Sequence, residues 1–155
     1  MSNNTDLTQL SIALNSLASL DLSNNALLDD LRVNNNSLTS LDVSNNPSLT
    51  RIDCQVNSIS SLDISNNVLL EHLRCDNLNN LTSLDVSNNP LITYLHCAFN
   101  RLDNLVNSQI LVDLDGHGLS NGYLQSSIFG GGSLTAAGQT AKTNLLSKGW
   151  TIVGL

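Results

Sequence analysis

The residues of this 155-residue chain that could do chemistry are three cysteines, three histidines and a recurring set of aspartates. Cys54, Cys75 and Cys97 lie 21 and 22 residues apart. An odd number at a fixed interval, without CxxC or CxxH spacing, argues against disulfides or a zinc site and for a column of small buried side chains. Asp21, Asp42, Asp63 and Asp85 recur at nearly the same interval and would stand in line. Four like charges at strand spacing repel. Calcium would relieve this but asks for six or more oxygens, and the flanking serines are poor ligands; screening by solvent is the other relief. DLDGHG, from Asp113 to Gly118, lacks the full spacing and terminal glutamate of a calcium loop, and GGG at Gly130–Gly132 has no following lysine to cradle phosphate. His72 with Asp76, or His96 with Arg74, would lie on an open surface with no water-excluding pocket. The expectation is no enzyme, no catalytic residue, no cofactor and no metal.

The elements that must position these residues are written in the repeats. LDLSNN starts at Leu20, LDVSNN at Leu41, LDISNN at Leu62 and LDVSNN at Leu84. Between these faithful A units lie looser B units: LSIALN from Leu10, LRVNNN from Leu31, IDCQVN from Ile52, LRCDNLN from Leu73 and LHCAFN from Leu95. The region is LxxLxLxxN in alternating units of about 10 and 11 residues. It resembles the leucine-rich-repeat family, in its nested bacterial class with a 21-residue repeat, over roughly residues 7–105. The resemblance implies a repeat solenoid that binds a protein or a surface ligand, in cell-surface, adhesive or host-contact roles.

The physics leads to the same architecture. In LxL both apolar side chains point to one face, and a unit this short buries them only by stacking on its neighbours. One A strand and one B strand per turn give two parallel β-sheets. Asn25, Asn46, Asn67 and Asn89 end the A strands, where their amides can serve the bend and stack as a ladder. Leu78 stands where a B unit should have Asn, and the next interval is one residue longer, which reads as a bulge.

The outward A positions repeat Ser, Asp, Ser in every turn, whereas no two B turns match. The varied B face holds Asp30, Arg32, Asn34, Arg51, Asp53, Gln55, His72, Arg74, Asp76, Tyr94 and His96. A rigid grid of varied side chains is how a solenoid makes a recognition surface, so these are the candidate ligand-binding residues, for a protein or glycan. The competing reading is a solvated face whose neighbouring opposite charges stabilise the sheet. A structural or adhesive part of a virion, tail fibre or bacterial surface, or a secreted effector, are the alternatives to a binding module.

Beyond the repeats, residues 106–155 read as a small α/β C-terminal cap. A helix capped by Asn107 or Ser108 carries Ile110, Leu111 and Leu114 on one face and stops at Gly116 and Gly118, with a strand as its competitor. NGYLQSSI suggests a strand, Thr135–Lys148 a helix, and Trp150–Val153 a final strand in parallel with it. Trp150 is expected as a core anchor. Residues 1–6 form a polar tail, too short to cover the first turn, so the N-terminal edge is expected to meet another domain or self-associate. No basic-then-apolar leader is present, which leaves localisation to the resemblance, and that favours an extracellular or cell-surface place. A net charge of -7 with six Lys and Arg excludes a phosphate-binding face for nucleic acid, and no stretch suits membrane insertion.

Overall fold

The computed structural model describes residues 4–155, so residues 1–3 of the expected polar tail lie outside the described residues. Five B units form short strands: β1 (Gln9–Ser11), β2 (Asp30–Arg32), β3 (Arg51–Asp53), β4 (His72–Arg74) and β5 (Tyr94–His96). They continue through α1 (Asn104–Gly116), β6 (Tyr123–Gln125), α2 (Ala136–Ser147) and β7 (Thr151–Val153). All seven strands make one parallel sheet in sequence order. Each pairs with the next in flat register, Leu10 beside Leu31, Ile52, Leu73, Leu95, Leu124 and Ile152.

The repeat solenoid is as expected, but there is one sheet where two were expected. The A units are turns. Their aspartates take the backbone N–H of the serine two residues on, Ser23 to Asp21 at 3.0 Å, Ser44 to Asp42 at 3.0 Å, Ser65 to Asp63 at 2.9 Å and Ser87 to Asp85 at 2.9 Å. A donor held by its own neighbour's carboxylate is withdrawn from any ladder. Two turns then follow within each A unit, as where Asn25 N–H donates to Leu22 O and Leu28 N–H to Asn25 O.

Stacking closes the core. Leu28, Leu31, Val33, Leu38, Leu49, Ile52, Ile59, Leu70, Leu73, Leu81, Ile92, Leu95 and Leu102 have no solvent exposure. Each fully buried Leu or Ile contributes about 1.5–3 kcal/mol, which is realised only when the adjacent turn is present. Between the turns the A-unit asparagines act as ties. The amide of Asn46 donates to Leu22 O and Asn25 O, that of Asn67 to Val43 O and Asn46 O, and that of Asn89 to Ile64 O and Asn67 O. The ladder is therefore amide to backbone carbonyl, one turn back, rather than amide to amide.

After each B strand the chain turns through one residue of positive φ: Leu14, Asn35, Val56, Asn77 and Phe99, all between 55° and 58°. The extra residue near Leu78 leaves the β4–β5 pairing intact and is absorbed in the loop, where Asn79 is a second positive-φ residue and Leu78 turns inward. The expected bulge is a loop insertion, not a break in the ladder.

The cap continues the solenoid. Helix α1 starts four to five residues earlier than the sequence indicated, because Asp103 caps it by accepting from the N–H groups of Leu105 and Val106. Asn107 instead lies buried inside the helix. Its amide donates to Leu102 O and Asp103 O, and its Oδ1 accepts from Ser126 Oγ, which joins helix and sheet. Gly138 of α2 sits so close to Ser108 of α1 that a β-carbon there would lie 2.8–2.9 Å from it. Trp150 is buried, with Nε1 donating to Leu119 O at 3.0 Å, as the anchor it was expected to be.

Candidate functional site

The β-sheet's outer face carries the varied residues, and its charges form a lattice. Within strands, Arg32 forks onto Asp30 through Nε at 3.0 Å and Nη2 at 2.7 Å, and Arg51 Nη2 donates to Asp53 at 2.8 Å. Arg74 Nε stands 3.4 Å from Asp76. Across strands, His72 Nε2 lies 3.2 Å from Asp53 Oδ1 and His96 Nδ1 lies 3.3 Å from Asp76 Oδ1. The pairs therefore run i, i+2 along the chain and diagonally between strands, although the register also sets Arg32 and Arg74 directly beside Asp53.

Asp53 and Asp76 are 6% and 3% exposed, sunk beneath their Arg and His neighbours rather than turned into the apolar core. Burial opposes the charge of Asp53, yet hydrogen bonds from His72 and Arg51 outweigh it and keep its pKa below the ordinary value. Burial lowers the pKa of His96, against the pull of Asp76. Asn34 and Gln55 sit at the sheet's margin, Gln55 being buried. Toward the cap the face becomes aromatic. His72 stacks on Tyr94 with centroids 4.2 Å apart at 4°, and Tyr94 on Tyr123 at 4.9 Å and 15°. Tyr123 and Gln125 come from β6, so the cap extends the face. Sequence reasoning stopped at Tyr94 and His96; the signal it passed over is that YLQ matches YLH in pattern.

On the turn side, the four aspartates are each turned onto their own serine. Hydrogen bonds from Ser23, Ser44, Ser65 and Ser87 hold their pKa values below the ordinary range. Among the described residues no group of three or more His, Cys, Asp or Glu side chains is arranged to hold a metal ion. A groove of about 480 Å³ lies between this side and α1, with Leu62, Leu84 and Val106 as its apolar wall and Asp63, Asp85 and Asp113 at its rim. Burial raises the pKa of Asp113 there.

Cys54, Cys75 and Cys97 are free, fully buried and one turn apart. Burial pushes the thiols of Cys54 and Cys97 up to about 12 and that of Cys75 upward as well. They pack as small apolar groups, as the odd count implied.

A parallel sheet of one short LxL strand per 21-residue turn, tied by asparagines, defines a leucine-rich-repeat solenoid, and the chain belongs to the leucine-rich-repeat family. Among solved structures it is similar to the functional domain of InlJ from Listeria monocytogenes, at 36% identity and a TM-score of 0.71. That match covers 82% of this chain and 27% of InlJ, whose structure includes a cysteine ladder. An internalin, InlF, from the same species matches 96% of this chain at 19% identity and a TM-score of 0.69, which shows the fold. The chain spans about a quarter of the one and 47% of the other. No protein-family model and none of the curated proteins matches. Solenoids of this kind commonly mediate protein binding and surface contact.

Proposed function

We propose that the chain is a non-enzymatic module that binds a protein through the outer face of its sheet, at or outside a cell surface. The observation that carries this is the asymmetry between two sides of one scaffold. The turn side repeats an Asp with a Ser two residues on for a local hydrogen-bonding reason, while the sheet side, under the same stacking demands, differs in every strand. The Arg32–Asp30 pair, the most exposed of the three Arg–Asp pairs, is worth roughly 0.2–1 kcal/mol, too little for stability to require it. Three arginines against three aspartates also leave this face near neutral, so the net charge of -7 resides elsewhere.

Protein is favoured over glycan by the aromatic stack. Sugars pack on open ring faces, and here both faces of Tyr94 and one face each of His72 and Tyr123 are covered by a neighbouring ring. The contact group is Arg32, Arg51, Arg74, Tyr94 and His96, with Asn34 and Gln55 at the margin. Arrays of surface proteins and of glycans, probed with the 155-residue chain, test this. Arg32→Ser with Tyr94→Ser leaves both buried carboxylates paired and should weaken capture of a protein ligand more than tenfold (about 1.4 kcal/mol or more). Ser19→Ala with Ser61→Ala, on the turn side, should not. Capture by glycans alone, or loss with the turn-side pair, would overturn the proposal.

A further inference from the structure

Leu14, Val56 and Phe99 stand apart on two counts. They are 79%, 44% and 59% exposed, and they hold φ values of 58°, 56° and 57°. The equivalent residues of the intervening turns are Asn35 and Asn77, at 56° and 55°, the residue type that tolerates left-handed backbone. Folding alone asks for asparagine at this position, yet every second turn supplies a large apolar side chain that is both strained and wet. Stacking in register sets the five in a ridge beside the sheet, about 19 Å long at ~4.8 Å per turn. Along it the order is apolar, Asn, apolar, Asn, apolar, which reads the same from either end.

We propose that this ridge is a self-association surface on which a second copy of the chain docks antiparallel, about a two-fold axis at Val56. Leu14 then meets the partner's Phe99, Asn35 meets the partner's Asn77, and Val56 meets its own counterpart. These are the reciprocal contacts a two-fold interface requires. Charge supports a second copy as the occupant of this place in particular. Two molecules of net charge -7 repel where aspartates such as Asp21, Asp42, Asp63 and Asp85 face outward, whereas no ridge residue is charged. The neighbouring carboxylate, Asp76, is sunk beside Arg74 and His96. A single line of five side chains is a strip well short of the roughly 1,200 Å² of a stable interface. The dimer is accordingly weak and forms at high local concentration, as on a crowded surface. The ridge shares no residue with the proposed binding face, so either stands without the other.

Sedimentation equilibrium of the 155-residue chain from micromolar to millimolar concentration tests the proposal. The expected result is a reversible dimer at the upper end. The triple variant Leu14→Asn, Val56→Asn, Phe99→Asn should dimerise at least about tenfold more weakly. Its unfolding midpoint should be unchanged or higher, because asparagine suits the backbone there. A wild-type chain monomeric throughout, a triple variant that dimerises like wild type, or one that melts lower than wild type would each overturn it.

Discussion

Asparagine is the residue on which the stacking turns most directly. The sequence shows it twice in every A unit, and only the fold tells the two copies apart. Asn46 is fully buried and its amide spans to Leu22 O and Asn25 O, at 3.1 and 2.8 Å. Asn45 beside it is exposed and reaches Ser44 Oγ at only 3.5 Å. Asn46→Ala removes two buried hydrogen bonds from carbonyls that keep the backbone donors of Asn25 and Leu28, and at about 0.5–1.5 kcal/mol per bond the variant should lose roughly 1–3 kcal/mol. Asn45→Ala should stay within about 0.5 kcal/mol of wild type. Urea unfolding of the two variants decides it, and equal losses would mean that the ties between turns are not where the stability lies. The asparagine period was legible, and its service to backbone groups was expected. The acceptors were not, because they lie 21 and 24 residues back and depend on the stacking register.

At the scale of elements, the same six-residue motif was read as a strand and is a turn. LDxSNN alternates as a strand should, and periodicity cannot register that an aspartate has bonded its neighbour's N–H before any ladder forms. The B units escape this because the outward residue at that point is Ser11, Arg32, Asp53, Arg74 or His96. Asp53 does share the type, but its carboxylate is taken up by Arg51 and His72. The cap shows the same limit. Its two helices and two strands were legible from pattern, while the start of α1 was misplaced because Asn107 looked like a cap and serves as an internal splice. The turn chemistry has a consequence in acid. Serine hydrogen bonds depress the folded-state pKa of Asp21, Asp42, Asp63 and Asp85 below the unfolded value near 3.9. A depressed carboxylate stabilises the fold above its unfolded pKa, and the contribution fades as pH falls through the folded pKa. Stability should be flat in this respect above about pH 5 and decline below about pH 4. Asp42→Ala should be less stable than wild type at pH 6, and the gap should narrow by pH 2–3. A gap that stays constant, measured by denaturant midpoints at both pH values, would show that the Asp42 carboxylate adds nothing to its turn.

As a whole molecule the chain is a one-dimensional stack with unlike ends. Each turn touches only its neighbours, so local stability is set by how many neighbours remain on either side. At the C-terminal end β6, β7, α1 and α2 cover the last repeat, and Asn107 ties helix to sheet. At the other end β1 has a strand partner on one side only among the described residues. The exposure of equivalent side chains records the difference. Leu7, Ile12 and Leu17 are only partly buried, whereas Leu28, Val33 and Leu38, one turn further on, have no exposure. Apolar area left in water contributes nothing, so the first turn should open far more often than the centre. Native-state hydrogen exchange of the 155-residue chain should therefore show a gradient, with β1 amides exchanging fastest and those of β4 to β6 near the rate of global unfolding. Asn107→Ala should steepen the loss at the other end, lowering protection in α1 and β6 while leaving β2 unchanged. Uniform protection from β1 to β7 would show instead that the turns unfold as a single unit, with coupling between neighbours strong enough to erase the difference in side-chain burial between the first turn and the next.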